Sequence, residues 1–339
     1  MSQLHLAFIR TLCIKPIFTG IQKHYGISPE QLGLPSSILS NKMNLLPINE
    51  VSDWLEKIEE ITGDPGYMLT IAPYLHLKHF DVMGEWFLAA PDLSITFRRI
   101  NYGINSLQSG ASFHGSQSGN IIKWCYHSEY FQARARFHDS VRVAVCMVHT
   151  LREYVGKEYA PLRVQISGPP YNQEQFTHFF GCDVEWNAAE TQVWLNIAIL
   201  AHESRMETAE NKQMLMPFHQ LDEYLNMPQP HDHAKVFYEV INYCRHFGIP
   251  TVNKAASCFR LSRQQLQRQL HNYGWSFSTI TGYVLCNLAI QLMMKGEPIE
   301  EIAKKLGYSN KESFSKTFKK NRGKTPKQYL EKLKQKKMK

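Results

Sequence analysis

From residue 234 onward, apolar positions recur at spacings of three and four. Residues 234–247 place Val236, Phe237, Val240, Ile241, Cys244 and Phe247 on one helical stripe. The short run 251–259 turns Val252, Ala255, Ala256 and Phe259 inward, and its two alanines let a following helix cross closely. Arg260-Leu261 predicts a tight turn, and a new helix starts at Ser262. Ser262 and Gln265 form an S-x-x-Q capping box, in which each side chain satisfies a free backbone N–H of the first turn. Leu266, Leu270 and Tyr273 then point inward, which leaves Gln264, Gln267, Arg268 and His271 on the outer face. A short helix, a tight turn and a second helix with a polar, basic outer face is the arrangement that enters a major groove.

The pattern recurs. Ile299, Ile302, Ala303 and Leu306 form the inner face of another short helix, and Gly307-Tyr308 supplies the turn. Ser309 and Glu312 are spaced as a second capping box. Phe314, Thr317 and Phe318 face inward, with Lys311, Ser315, Lys316 and Lys319 outward. Between the two units, 234–275 and 297–330, lies one helix over 277–295, roughly 28 Å long at about 1.5 Å per residue. One turn of B-DNA is roughly 34 Å, so such a rod can hold two recognition helices in successive major grooves. A third capping box, Thr325 with Gln328 and Pro326 at the first helical position, starts a closing helix.

The first half has a different grain. Residues 4–9 read as a short buried helix and not as a signal peptide, since no basic segment precedes them. Segments 47–62, 65–75 and 79–90 carry helical spacing, cleanest at Val51, Leu55, Ile58 and Ile61. Two strands are predicted at 121–126 and 130–137, the second alternating with period two. A helix follows at 139–156. Further strands are expected at 162–166, 183–186 and 192–195, with a helix at 172–180 between the first two, and helix returns over 197–225. The expected fold class is therefore an α+β N-terminal domain, helices then a small mostly antiparallel sheet, followed by an all-α domain with two helix-turn-helix units. Pro228 and Pro230 in a polar stretch mark 226–233 as the linker between domains 1–225 and 234–339.

Charge sharpens this division. Residues 1–228 hold 17 Lys+Arg against 23 Asp+Glu, a net of −6, whereas residues 229–339 hold 21 against 7, a net of +14. A domain this basic is the electrostatic footprint of a partner to a polyanion, with nucleic acid favoured over a membrane surface. The terminal run Lys332, Lys334, Lys336, Lys337 and Lys339 counts for less, because charged tails are commonly just solvated. No run of about 18 apolar residues stands out, so no membrane-spanning helix is expected. The seven cysteines are scattered and form no C-x-x-C pair, which argues against disulfides or a zinc knuckle and for the reducing cytoplasm.

Residues 234–330 resemble the DNA-binding domain of the AraC/XylS family. The resemblance rests on Ile302-Ala303-Lys304-Lys305-Leu306-Gly307-Tyr308-Ser309, then 314–320, then Gly323-Lys324-Thr325-Pro326-Lys327-Gln328-Tyr329. It implies seven helices, with two helix-turn-helix subdomains sharing a linker helix. By motif position it places base contacts on Gln264, Gln267 and Arg268 and on Lys311, Glu312 and Lys316. Arg263, Lys319, Lys320 and Lys324 are left for phosphates. Leu285 stands where the family usually has Arg, which is expected to loosen the packing between subdomains, and Leu330 replaces a common Arg after Tyr329. Gly63-Asp64-Pro65, residues 83–93 and residues 179–184 resemble the effector domain of the subgroup that includes ornithine-utilisation regulators. Because half of that domain reads as helix, it is not expected to be the jelly roll of arabinose-type sensors.

Other chemistry is sparse. His76 and His79 share a helical face, and His231 and His233 sit in the linker, but neither pair has a nameable third ligand, so no metal and no cofactor are expected. Cys125, Cys146 and Cys182 read as small core residues, with redox sensing as the alternative. Arg134 and Arg136 fall on one face of the expected strand and are weak candidates for clamping an effector carboxylate. Catalytic motifs are absent. The sequence thus describes a regulator and not an enzyme: double-stranded promoter DNA, RNA polymerase, a small-molecule effector and a second copy of the chain are the expected partners, with no membrane. The rival readings are a ligand-independent DNA-architectural protein and a haem gas sensor fused to a DNA-binding domain.

Overall fold

A computed structural model describes residues 5–203 and 218–337. The chain divides into two compact units, Ala7–Gln229 and a second made of Met1–Leu6 with Pro230–Lys339.

The first unit opens with β1 (Phe8–Arg10), which pairs antiparallel with β2 (Leu45–Pro47). Residues 5–7 are not helical, so the short apolar run expected as helix ends in a strand. A run this brief does not complete enough turns to distinguish the two periods. Between the strands lie α1 (Thr11–Tyr25) and α2 (Ser36–Leu39). Next, α3 (Ile48–Thr62) buries Val51, Leu55 and Ile58 as its spacing predicts, but Ile61 in its last turn stays 48% exposed. The helical part is completed by α4 (Tyr67–Thr70), α5 (Asp81–Leu88) and α6 (Leu93–Gly103). Gly84 of α5 is a packing requirement, because a Cβ there would lie 1.9 Å from the Leu77 carbonyl oxygen.

Five strands form the sheet: β3 (Ala111–Ser118), β4 (Ile121–Ser128), β5 (Arg163–Gln165), β6 (Val184–Glu185) and β7 (Thr191–Asn196). Their order is β3-β4-β7-β5-β6, antiparallel throughout except for β5 beside β6. The strand at 111–118, which pairs with β4, is not among those expected, and the second expected strand, 130–137, is not one. That second segment instead leads into α7 (Ala133–Val155), a helix that begins six residues earlier than its pattern predicts. Here α7 packs on β7, α3 and α4, and from Phe137 to Val148 every residue is buried. A helix enclosed on nearly all sides has no polar stripe to set its period, and local alternation at its start was read as strand. The remaining helices are α8 (Gln173–Phe180), between β5 and β6, and α9 (Phe218–Leu225). Of the helix expected over 197–225, residues 197–201 form a 3-10 turn and 218–225 are α9, while 204–217 lie outside the described residues.

Polar groups fix α7 to the sheet. The Asp139 carboxylate accepts from Arg142 Nε (3.0 Å) and Nη2 (2.6 Å) and from the Tyr126 hydroxyl (2.8 Å). Gln108 Nε2 donates to the Tyr126 oxygen at 2.8 Å. All four side chains are buried, so each must find its partner inside the protein.

The second unit has seven α-helices among the described residues: α10 (His233–Cys244), α11 (Val252–Cys258), α12 (Arg263–Asn272), α13 (Phe277–Met294), α14 (Ile299–Lys305), α15 (Lys311–Arg322) and α16 (Pro326–Lys337). Phe247, expected on the buried stripe of α10, is 40% exposed, with the Lys254 ammonium 4.4 Å from its ring centre. By length and composition α13 does qualify to cross a membrane, against the expectation from sequence. Its Val284, Leu285, Cys286, Ala289 and Met293 are instead buried inside the unit, which makes it a core helix. Leu285 belongs to one apolar cluster with Ile302, Leu306, Phe314 and Phe318. Its side chain thus fills the core of the second helix-turn-helix subdomain.

Candidate nucleic-acid interface

Each recognition helix is positioned by a short helix, a turn and a cap. In the first pair, Thr251 caps α11 by accepting from the Lys254 N–H. The chain turns at Arg260, whose φ of 54° is left-handed, and Ser262 starts α12. The capping box is present in both directions: Gln265 N–H donates to Ser262 Oγ at 3.2 Å, and Ser262 N–H to Gln265 Oε1 at 2.8 Å. Such a cap stabilises a helix start by about 1 kcal/mol. Leu266 and Leu270 are buried against this frame, and Arg263, Gln264, Gln267, Arg268 and His271 are exposed. The structure thus brings Gln264, Gln267 and Arg268 together on one open face, with Arg263 at the helix start.

In the second pair the cap is Asn310 and not Ser309. Asn310 Oδ1 accepts from the Ser313 N–H at 2.8 Å, and α15 begins at Lys311. The Ser309–Glu312 spacing matched a capping box, but Asn is an equally good cap one residue later. Phe314 and Phe318 are buried and Lys316, Lys319, Lys320 and Lys324 are exposed, with no ion pair to an acidic side chain among the described residues. Lys311 differs. Its ammonium lies 2.5 Å from Glu300 Oε1 on α14, and this pairing holds Lys311 above the usual lysine range and Glu300 below the usual carboxylate range. Glu312 is exposed in the same first turn. Sequence reasoning missed Glu300, since the contact spans eleven residues across a turn. Glu300→Gln should free Lys311 and raise duplex affinity roughly two- to fivefold at low salt, an effect that fades as salt screens it. Fluorescence anisotropy with a labelled duplex measures this, and unchanged affinity would mean that Lys311 points away from DNA.

The two helix-turn-helix pairs are held together closely. Gly307 in the second turn has a φ of 82°, and a Cβ there would lie 2.3 Å from the Gly248 carbonyl carbon of the first pair. Only glycine satisfies both demands. Arg245 Nη1 adds a hydrogen bond of 3.1 Å to the Lys305 carbonyl. Thr325 and Gln328 form the third capping box, at 3.0 and 3.3 Å.

The candidates of the first unit fare differently. Arg134 and Arg136 lie in the first turn of α7, not on a strand. Arg134 Nη2 pairs with Glu59 Oε1 at 2.7 Å, and His138 Nε2 reaches Glu59 Oε2 at 2.7 Å. Burial raises the Glu59 pKa, but Arg134 and His138 outweigh it and hold the carboxyl below its ordinary value. Arg136 Nε donates to the Phe131 carbonyl at 3.2 Å, and the cavity it helps to line is only about 10 Å³, room for one water. The effector-clamp expectation thus loses its basis. His76 Nε2 lies 2.8 Å from Glu153 Oε1, Nδ1 accepts from the Lys78 N–H, and burial pushes the imidazole down to about 3. Both nitrogens of His76 are thus engaged, and His79 Nδ1 lies 2.8 Å from the Tyr74 carbonyl. Burial pushes the thiols of Cys125 up to about 12 and of Cys146 and Cys182 up to about 11, which leaves little reactive thiolate at neutral pH. A cleft of about 210 Å³ lies between α1 and residues 74–79, lined by Leu12, Lys15, Pro16, Lys42, Tyr74 and His79.

Comparison with known proteins bears on both units. A helix-turn-helix domain family matches residues 255–332. Of solved structures, the transcriptional regulator CdpR from Pseudomonas aeruginosa aligns over 94% of this chain and 98% of its own, at 16% identity and a TM-score of 0.45. None of the curated proteins compared with the chain matches it. The family described as the arabinose-binding domain of AraC transcription regulator, N-terminal, matches residues 29–203. The α+β architecture, with helices beside one five-stranded sheet, stands as the sequence predicts and is not a jelly roll among the described residues. With that match covering more than half of its 339 residues and a helix-turn-helix domain following, the chain belongs to the AraC family of transcription regulators, with an effector-binding N-terminal domain and a C-terminal domain that binds DNA.

Proposed function

We propose that this regulator activates a neighbouring metabolic or virulence operon in the cytoplasm by reading one face of promoter DNA and contacting RNA polymerase. The observation that carries this reading is the pair of capped helices, each with an open polar face, on a unit of net charge +14. Gln264, Gln267 and Arg268 read bases from α12, and Lys316, with Lys311 and Glu312, from α15. Arg263, Lys319, Lys320 and Lys324 hold phosphates, which position the protein without reading sequence. Domains 1–225 and 234–339 divide sensing and dimerisation from DNA binding across the linker 226–233. The effector is a small molecule, and the cleft lined by Lys15, Lys42, Tyr74 and His79 is large enough to receive one. The resemblance of residues 63–65, 83–93 and 179–184 to ornithine-utilisation regulators and the description of the matching family make ornithine and arabinose the first molecules to titrate.

The test uses fragment 229–339 and the full chain. The fragment should bind duplex DNA with affinity that falls steeply as salt rises. In the full chain, Arg268→Ala should cost roughly 1–3 kcal/mol and relax preference at one or two base pairs, while Lys320→Ala weakens all sequences about equally. A folded fragment without salt-sensitive binding overturns the proposal. Identical behaviour of the two variants across operator sequences overturns the division between base and phosphate contacts.

A further inference from the structure

The hairpin β3–β4 and the start of β7 bring together a histidine, a cysteine and a glutamate that the DNA-binding reading does not use. His114 and Cys125 are direct partners in the β3–β4 ladder. Across the other edge of β4, Cys125 pairs with Gln192, and Glu190 lies two residues before Gln192, immediately ahead of β7. One ligand atom from each of His114, Cys125 and Glu190 lies within 4.8 Å of both others, with His114 Nε2 3.8 Å from Glu190 Oε1. The cysteine is buried at 1% exposure, while the histidine side chain is half exposed and the glutamate is 23% exposed.

We propose that His114, Cys125 and Glu190 form a three-ligand site for a thiophilic divalent cation of the zinc class, on the face of the sheet opposite α7. The donor set is one nitrogen, one sulfur and one oxygen. Thiolate and imidazole favour zinc-like ions over magnesium or calcium, which take oxygen ligands. Tetrahedral coordination at about 2.0–2.3 Å puts ligand atoms about 3.3–3.6 Å apart, so small side-chain rotations close the set. The carboxylate is already held: Gln192 Nε2 donates to Glu190 Oε1 at 3.0 Å, and Trp194 Nε1 donates to Gln192 Oε1 at 2.8 Å. Outer hydrogen bonds of this kind orient metal ligands. Three protein ligands leave the fourth position on the exposed His114 side for water or a ligand. On binding, the cation forms a bond to Cys125 Sγ and the thiol proton passes to solvent, with no change of oxidation state. The bound ion ties three neighbouring strands of the effector domain together, and so stabilises that domain in proportion to occupancy.

The test is a titration of the full chain, stripped with a chelator, with Co²⁺ as the probe and Zn²⁺ as competitor. One equivalent of Co²⁺ should give a thiolate charge-transfer band in the near ultraviolet and visible bands of tetrahedral intensity, and Zn²⁺ should bleach both. Cys125→Ser should remove the charge-transfer band, and Cys182→Ser should leave it intact. His114→Ala, at an exposed position where folding is not at stake, should weaken Co²⁺ binding at least tenfold. No charge-transfer band in the native chain overturns the site. So does a band that vanishes with Cys182→Ser, or native affinity in His114→Ala.

Discussion

Asp139→Ala should cost about 3–5 kcal/mol of the stability of the first unit, the cost of leaving a buried guanidinium without its counter-ion. Asp139 is 1% and Arg142 5% exposed, and one carboxylate serves both the arginine and the Tyr126 hydroxyl. Its removal therefore leaves two buried donors short of an acceptor, and Gln108 covers only part of the loss, reaching Arg142 Nη2 at 3.4 Å. Against a typical total of about 5–15 kcal/mol, the change is large enough to leave part of the population unfolded at growth temperature. The pair is not itself a strong source of stability, since replacing both members by apolar groups can be neutral or favourable. Asp139→Ala combined with Arg142→Met should therefore be more stable than Asp139→Ala alone. Five of the six tryptophans lie in residues 7–229, so urea unfolding followed by fluorescence reports on this unit. A loss below about 1 kcal/mol for Asp139→Ala would show that water, and not the protein, solvates Arg142.

The second unit was largely legible in the sequence because its information is local. A surface helix with one wet face announces its period, and Ser262–Gln265 and Thr325–Gln328 announce their helix starts. The differences there are of one residue, as at Ser309 against Asn310, or concern the exposure of a side chain near a helix end, as at Phe247. The first unit was less legible for the same physical reason in reverse. In α7 burial on nearly all sides erases the stripe, and in β3 the run His114-Gly115-Ser116-Gln117 is polar and hides a strand that only its partner reveals. Arg134 and Arg136 were misplaced along with their segment. Likewise the juxtaposition of His114, Cys125 and Glu190 exists only through the register of three strands, which no spacing in the chain encodes.

Inserting about 5 base pairs between the two recognised elements of one promoter site should remove most specific affinity, on the order of a hundredfold or about 2.8 kcal/mol. The argument is mechanical. Helix α13, 18 residues and roughly 27 Å long, lies between α12 and α15 and cannot stretch. The two helix-turn-helix pairs cannot swivel freely either, because Gly307 meets the Gly248 backbone without room for a Cβ and Arg245 holds the Lys305 carbonyl. Half a helical turn carries the second element to the opposite face of the duplex, where α15 cannot follow it. The affinity that remains comes from the first pair and from phosphate contacts, which do not depend on spacer length. Bending the spacer restores part of the fit at an energy of a few kcal/mol, so loss should be deep but incomplete. The contribution of α15 should be the smaller share, since Lys311 must first leave Glu300 and, on the proposed reading, Lys319 and Lys320 serve phosphates rather than bases. Spacing should accordingly matter more than spacer sequence, and base substitutions in the element proposed to face Gln264, Gln267 and Arg268 should cost more than those in the other. Footprinting with a spacer series from zero to about ten base pairs decides the matter. Unchanged affinity after the half-turn insertion would mean that a single helix-turn-helix pair reads DNA and that α13 serves only to hold the second core in place.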